Sequence, residues 1–111
     1  MYEKNLKIGY LLDFYGDALA ERKRNVLDLY YNEDFSLAEI SEEIGISRQG
    51  VRDLIKKAED ELIFFEETLG YSKKMTELSK AIDEIIHLAT LSNIPDDIHK
   101  RIIDLKKQIE L

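Results

Sequence analysis

Cysteine is absent from this chain of 111 residues, so a disulfide framework, a thiolate zinc site and a thiol nucleophile are all closed to it. Proline occurs once, at Pro95, and glycine only five times. So few breakers, beside abundant Leu, Ile, Glu and Lys, favour helix along nearly the whole length and point to an all-α fold. Long apolar runs are missing too: nothing approaches the roughly 18 consecutive apolar residues of a membrane span. Residues 1–5, MYEKN, lack the basic and apolar regions of a secretory leader. A cytoplasmic protein without membrane insertion is expected, and the missing cysteines are compatible with a reducing interior.

Positive charge is scarce as well, with 16 Lys and Arg against 23 Asp and Glu and a net charge of −7. That excludes a surface coated for polyanions, because attraction to phosphate supplies most non-specific nucleic-acid affinity. The distribution is more informative than the sum. Residues 47–57 carry Arg48, Arg52, Lys56 and Lys57 against Asp53, a local net charge of +3, which leaves −10 for the rest of the chain. With 44% apolar and 35% charged residues, one globular unit is expected.

Apolar spacing divides the chain into helices. Ile8, Leu11, Leu12 and Tyr15 predict a first helix over residues 3–15, its apolar face widened by Leu6, Tyr10 and Phe14. Val26, Leu27, Tyr30 and Tyr31 predict a second over 20–31, closed by the polar break at residues 32–34. Ser36 and Glu39 have the spacing of a capping box, in which serine accepts a backbone N–H three residues on while glutamate reaches back. A third helix starts there and stops at Gly45. The fourth begins behind Ser47 as N-cap, and its stripe Val51, Leu54, Ile55, Ala58, Leu62, Phe65 and Leu69 runs unusually far, to Gly70. Its first half is basic and its second, through Glu59, Asp60, Glu61, Glu66 and Glu67, is acidic.

Residues 71–111 hold seven basic and seven acidic side chains and predict a helical hairpin. Met75, Leu78, Ile82, Ile85 and Ala89 on one helix, and Ile98, Ile102, Leu105 and Ile109 on the other, alternate three and four apart as a packing seam. Pro95 suits a first helical position, with Asp96 and Asp97 complementing the helix dipole. The expected organisation is a helix-turn-helix domain at 1–70, with its motif at 36–57, and a hairpin at 71–111 that packs on it or on a second subunit. Together these form a single compact unit.

A helix-turn-helix needs an apolar inner face on its first helix, a permissive turn and a complementary second helix. Leu37, Ile40 and Ile44 supply the first, Gly45 and Ile46 the turn, and Val51, Leu54 and Ile55 the last. This leaves Arg48, Gln49, Arg52, Asp53, Lys56 and Lys57 on the outer face, where such units contact base edges and phosphates. Arg and Gln suit that place because each can form paired bonds to one base. A plain structural hairpin or a protein-docking element would have the same local pattern. Gly50 costs roughly 1 kcal/mol against alanine inside a helix, unless it permits a close approach.

The stretch 37–51, LAEISEEIGISRQGV, resembles the promoter-reading fourth region of bacterial sigma factors. With residues 12–15, 29–31, 55–57 and 93–95 added, nearly the whole chain resembles the YlxM family of small bacterial helix-turn-helix proteins. The resemblance implies the sigma-region-4-like, winged-helix-like class without a clear wing, and a DNA-binding regulatory protein. It also implies a part in the signal recognition particle pathway, or alternatively an accessory factor that binds the particle's protein or RNA without reading DNA. Ala20, in place of a threonine cap followed by proline, and Gly50, in place of alanine, depart from that pattern.

His87 and His99 fall on separate helices without a ligand pattern, so no metal or other cofactor is expected. Glu39, Glu42 and Glu43 lie close together but lack a neighbouring nucleophile or phosphate loop, and no enzyme is expected. Tyr10, Phe14, Tyr15, Tyr30 and Tyr31 could stack on bases, but their helical spacing favours core packing. A reader with one recognition helix gains affinity by pairing, so DNA and a second copy are the expected partners.

Overall fold

The computed structural model describes residues 4–109, and the expected helical start at residue 3 and hairpin end at 110–111 lie outside them. Among the described residues there are six α-helices and no strand: α1 (Leu6–Tyr15), α2 (Glu21–Leu27), α3 (Leu37–Ile44), α4 (Arg48–Leu69), α5 (Tyr71–Leu91) and α6 (Asp96–Ile109). The all-α reading holds. Packing divides the chain into two compact units, Met1–Leu69 and Gly70–Leu111.

In the first unit, the Asn5 side chain caps α1 by accepting the Lys7 N–H at 2.9 Å. Ile8, Leu11, Leu12 and Tyr15, spaced three and four apart, are buried as a single stripe. Leu6 is 90% exposed and Tyr10 48%, so the widening of that face expected from them does not occur. A 3₁₀ turn at Gly16–Ala18 brings in Leu19, which is buried. Ala20 opens α2 without a side-chain cap. After only seven residues, α2 loosens into a π-helical turn at Asp28–Asn32, which keeps Tyr30 buried and Tyr31 half-buried.

The 22-residue α4 is the spine of this unit and packs against α1, α2 and α3. Its fully buried Val51, Ile55, Ala58 and Leu62 meet Ile8, Leu11, Val26, Leu27 and Ile40 in one core. Each such aliphatic side chain contributes about 1.5–3 kcal/mol through removal from water. Polar ties frame it: the Tyr15 hydroxyl donates to Glu66 Oε1 at 2.8 Å, and Lys23 pairs with Glu61 at 2.5 Å. Leu69, the last member of the expected stripe, is 47% exposed.

In the second unit, α5 and α6 run side by side, joined through residues 92–95. Helix α6 starts at Asp96, so Pro95 precedes the first turn and its carbonyl accepts the N–H groups of Ile98 and His99 at 3.1 Å. Asp96 and Asp97 in the first turn and Lys106 and Lys107 in the last both complement the dipole. Of the expected seam, Ile82 and Ala89 are buried, whereas Leu78, Ile85, Ile98 and Leu105 remain exposed. No described helix is long and apolar enough to cross a membrane.

Candidate nucleic-acid interface

Short-range chemistry places α3 and α4. Ser36 Oγ accepts the Glu39 N–H at 3.1 Å, and Glu39 Oε1 accepts the Ser36 N–H at 3.1 Å, so the capping box read from sequence is complete. At the other end Gly45 adopts φ 76°, a left-handed conformation that a side chain strains, and its N–H closes on the Ser41 carbonyl at 3.0 Å. The Ser41 hydroxyl donates to the Ile46 carbonyl and ties the turn from inside. Ser47 Oγ then accepts the Gly50 N–H at 3.0 Å and starts α4.

Gly50 has a local reason to be small. A Cβ there would lie 3.2 Å from Ser47 Oγ and 3.4 Å from Ile46 Cδ1, pressing on the cap and on the residue that plugs the corner. The inner face is filled as its pattern predicts: Ile40, Val51 and Ile55 are buried, and Leu37, Ile44, Ile46 and Leu54 pack partly buried against them.

All six candidate contact residues, Arg48, Gln49, Arg52, Asp53, Lys56 and Lys57, are exposed on the first ten residues of α4. They differ in what already holds them. Gln49 Nε2 donates to Asp53 Oδ1 at 2.9 Å, which steadies the amide and leaves its second N–H and its carbonyl oxygen for a ligand. Lys56 pairs with Asp60 one turn on, at 2.9 Å. Arg48, Arg52 and Lys57 have no ion pair among the described residues. The charge ready for an anion is therefore concentrated on these three, at the positive end of the helix dipole and just beyond it.

Two features near the site are not evident from residue type alone. Lys4 lies over the Tyr30 ring, 4.7 Å from its centroid, and pairs with Asp34 at 2.5 Å. This hydrogen bond holds the Asp34 carboxyl below its ordinary range. Burial raises the Tyr30 hydroxyl pKa, against the lowering charges of Lys4 and Arg52, so Arg52 is electrostatically in reach of the π turn. Deeper in α4, Glu59 is only 6% exposed and accepts a hydrogen bond from the Tyr31 hydroxyl. Burial first, and the neighbouring Asp60 charge second, push its carboxyl from 4.5 to about 7. In sequence Glu59 reads as part of the acidic run of α4. Its spacing, four after Ile55 and three before Leu62, instead places it on the buried stripe.

A capped helix, a left-handed glycine turn and a longer helix that presents unpaired cations define a helix-turn-helix protein. Residues 2–107 match the family model described as "Putative helix-turn-helix protein, YlxM / p13 like", and the chain belongs to that family. It is 41% identical over 107 residues to a UPF0122 protein of Desulforamulus reducens, covering 94% of this chain and 92% of the relative. A UPF0122 protein of Clostridium perfringens is 41% identical over 108 residues, 96% of each. One from Caldanaerobacter subterraneus is 52% identical over 75 residues, 68% of this chain and 64% of its own. The family resemblance read from the sequence is borne out.

Proposed function

We propose that the chain is a DNA-binding regulatory protein of the cytoplasm, a binder rather than an enzyme, that lays the first half of α4 in a major groove. The observation that carries this reading is the set of unpaired cations, Arg48, Arg52 and Lys57, on the exposed start of a helix held by two side-chain caps. In this role Arg48, Gln49 and Arg52 read or position bases, Asp53 orients Gln49, and Lys56 and Lys57 grip phosphates. The test is fluorescence anisotropy with duplex DNA selected from a random pool, at several salt concentrations. Arg48→Ala with Arg52→Ala should weaken binding and flatten the salt dependence by about one to two phosphate contacts. Unchanged affinity and slope would refute the assignment.

The charge outside the motif favours a second reading, in which the protein docks on the protein or RNA of the signal recognition particle. Glu42 and Glu43 are exposed at the end of α3, and the chain outside residues 47–57 sums to −10, a better match for a basic protein than for a polyanion. Co-purification with and without nuclease separates the two. Particle components retained after nuclease treatment favour docking on protein, and recovery of DNA alone counts against this second reading.

A further inference from the structure

The hairpin of α5 and α6 leaves much of its apolar surface open. Helix α6 has no buried residue, and Ile98 and Leu105 stand about half exposed on it. On α5, Leu78, Ala81, Ile85 and Leu88 are all exposed, spaced three, four and three apart, a stripe separate from buried Ile82 and Ala89. Two helices cannot enclose a core by themselves, and helices of this length owe their stability to packing. The charge pattern of the hairpin identifies what covers that surface.

Lys106 Nζ meets Asp83 Oδ1 at 2.8 Å, which sets the register of the two antiparallel helices. From the loop end, Asp96 and Asp97 form an acidic band, and Lys100 and Arg101 a basic band one turn on. Next come Glu84 and Asp104, then the level of the Asp83–Lys106 pair itself, then Lys80 and Lys107. Glu77 and then Lys73 with Lys74 complete the series toward the open end. The six bands alternate in sign and are centred at the level of Ile82. Turning the hairpin end for end about an axis through that level sets every acidic band against a basic one. Side-by-side parallel pairing would set like on like.

We infer that the open face of the α5–α6 hairpin pairs with the same face of a second copy, antiparallel about a two-fold axis near Ile82, as a four-helix bundle. Residues 71–111 are electrically neutral, so the pairing surfaces do not repel, and the whole net charge of −7 lies in residues 1–70. The charged bands are complementary in this antiparallel orientation and opposed in the parallel one.

The absence of cysteine makes the orientation measurable on the full-length protein. Light scattering should give twice the chain mass of 13.0 kDa. Ala81→Cys, whose two copies would lie about 3 Å apart along the bundle, should form a disulfide with itself on oxidation. Leu91→Cys, with copies about 27 Å apart along the bundle, should not. Lys73→Glu with Lys74→Glu should raise the dissociation constant at least about tenfold, and adding Asp96→Lys with Asp97→Lys should restore pairing, with circular dichroism confirming unchanged helix content. A monomeric mass at high concentration, self-linking of the Leu91→Cys variant but not of Ala81→Cys, or no effect of the charge variants would each overturn the inference. No measurement here involves nucleic acid, so it stands or falls independently of the interface on α4.

Discussion

Glu59→Gln should stabilise the protein above neutral pH and leave it unchanged near pH 4. Folding raises the affinity of Glu59 for its proton, from a carboxyl pKa of 4.5 to about 7, chiefly by burial. Between those values the folded chain holds a proton that the unfolded chain has released, so rising pH favours unfolding. The stability associated with the neutral carboxyl is complete below pH 4.5, is lost as pH climbs to 7, and falls no further beyond. Each factor of ten in proton affinity corresponds to about 1.4 kcal/mol, which sets a ceiling of about 3.5 kcal/mol. Solvent at the edge of the carboxylate screens part of this, and about 1–2 kcal/mol is expected at pH 8. Glutamine fills the same volume and still accepts from the Tyr31 hydroxyl, so the two proteins should coincide at pH 4. Urea unfolding at pH 4, 5, 6, 7 and 8 measures the difference between them, which isolates this group from the other acids. In thermal melts each kcal/mol corresponds to roughly 4–8 °C. A difference independent of pH, or a glutamine variant less stable at pH 8, would refute the reasoning.

Gly45→Ala should cost about 1–2 kcal/mol, because φ is 76° while nothing lies within 4 Å of a new Cβ; denaturant midpoints check this, and no loss would mean that the turn relaxes freely. Ser36→Ala should cost about 1 kcal/mol but Ser36→Gly only a few tenths, since glycine suits the extended cap backbone; equal losses would argue against the capping box as the cause. Ile40→Ala, removing the one fully buried side chain of α3, should cost about 2–5 kcal/mol in urea unfolding. Gly50→Ala should gain less than the ~1 kcal/mol of helix propensity, because the new methyl crowds Ser47 and Ile46; a full gain would show that the cap yields at no cost.

The parts of the fold readable from sequence are those written over a few neighbouring residues. The Ser36–Glu39 box, the glycine at 45 and the Ser47 cap each satisfy backbone groups within four residues, so residue type and spacing suffice. The buried stripes of α1 and of the first half of α4 are legible for the same reason. Leu6 and Tyr10 read as core but face water, because their burial depends on whether a neighbouring helix reaches that flank of α1. The π turn at Asp28–Asn32, which holds Tyr30 buried and Tyr31 half-buried, follows no pattern written in the local residues. Glu59 is hidden by composition: three consecutive acids look solvated, although one of them lies in step with Ile55 and Leu62. Lys4 meets Tyr30 and Asp34 across about thirty residues of chain, beyond the reach of periodicity. The six candidate contact residues are exposed together as expected, but their division into paired Lys56, steadied Gln49 and unpaired Arg48, Arg52 and Lys57 needs side-chain positions.

The same α4 that displays the cations also forms the floor on which α1, α2 and α3 rest. At 22 residues it is a rod about 33 Å long, anchored through Val51, Ile55, Ala58 and Leu62. A ligand that meets Arg48 and Arg52 therefore finds a surface already assembled, and only side-chain rotamers remain to be ordered on contact. Association should then proceed at a rate governed by collision and electrostatic steering, without a slow folding step. Complex lifetime, rather than speed of capture, becomes the quantity on which substitutions in this helix act.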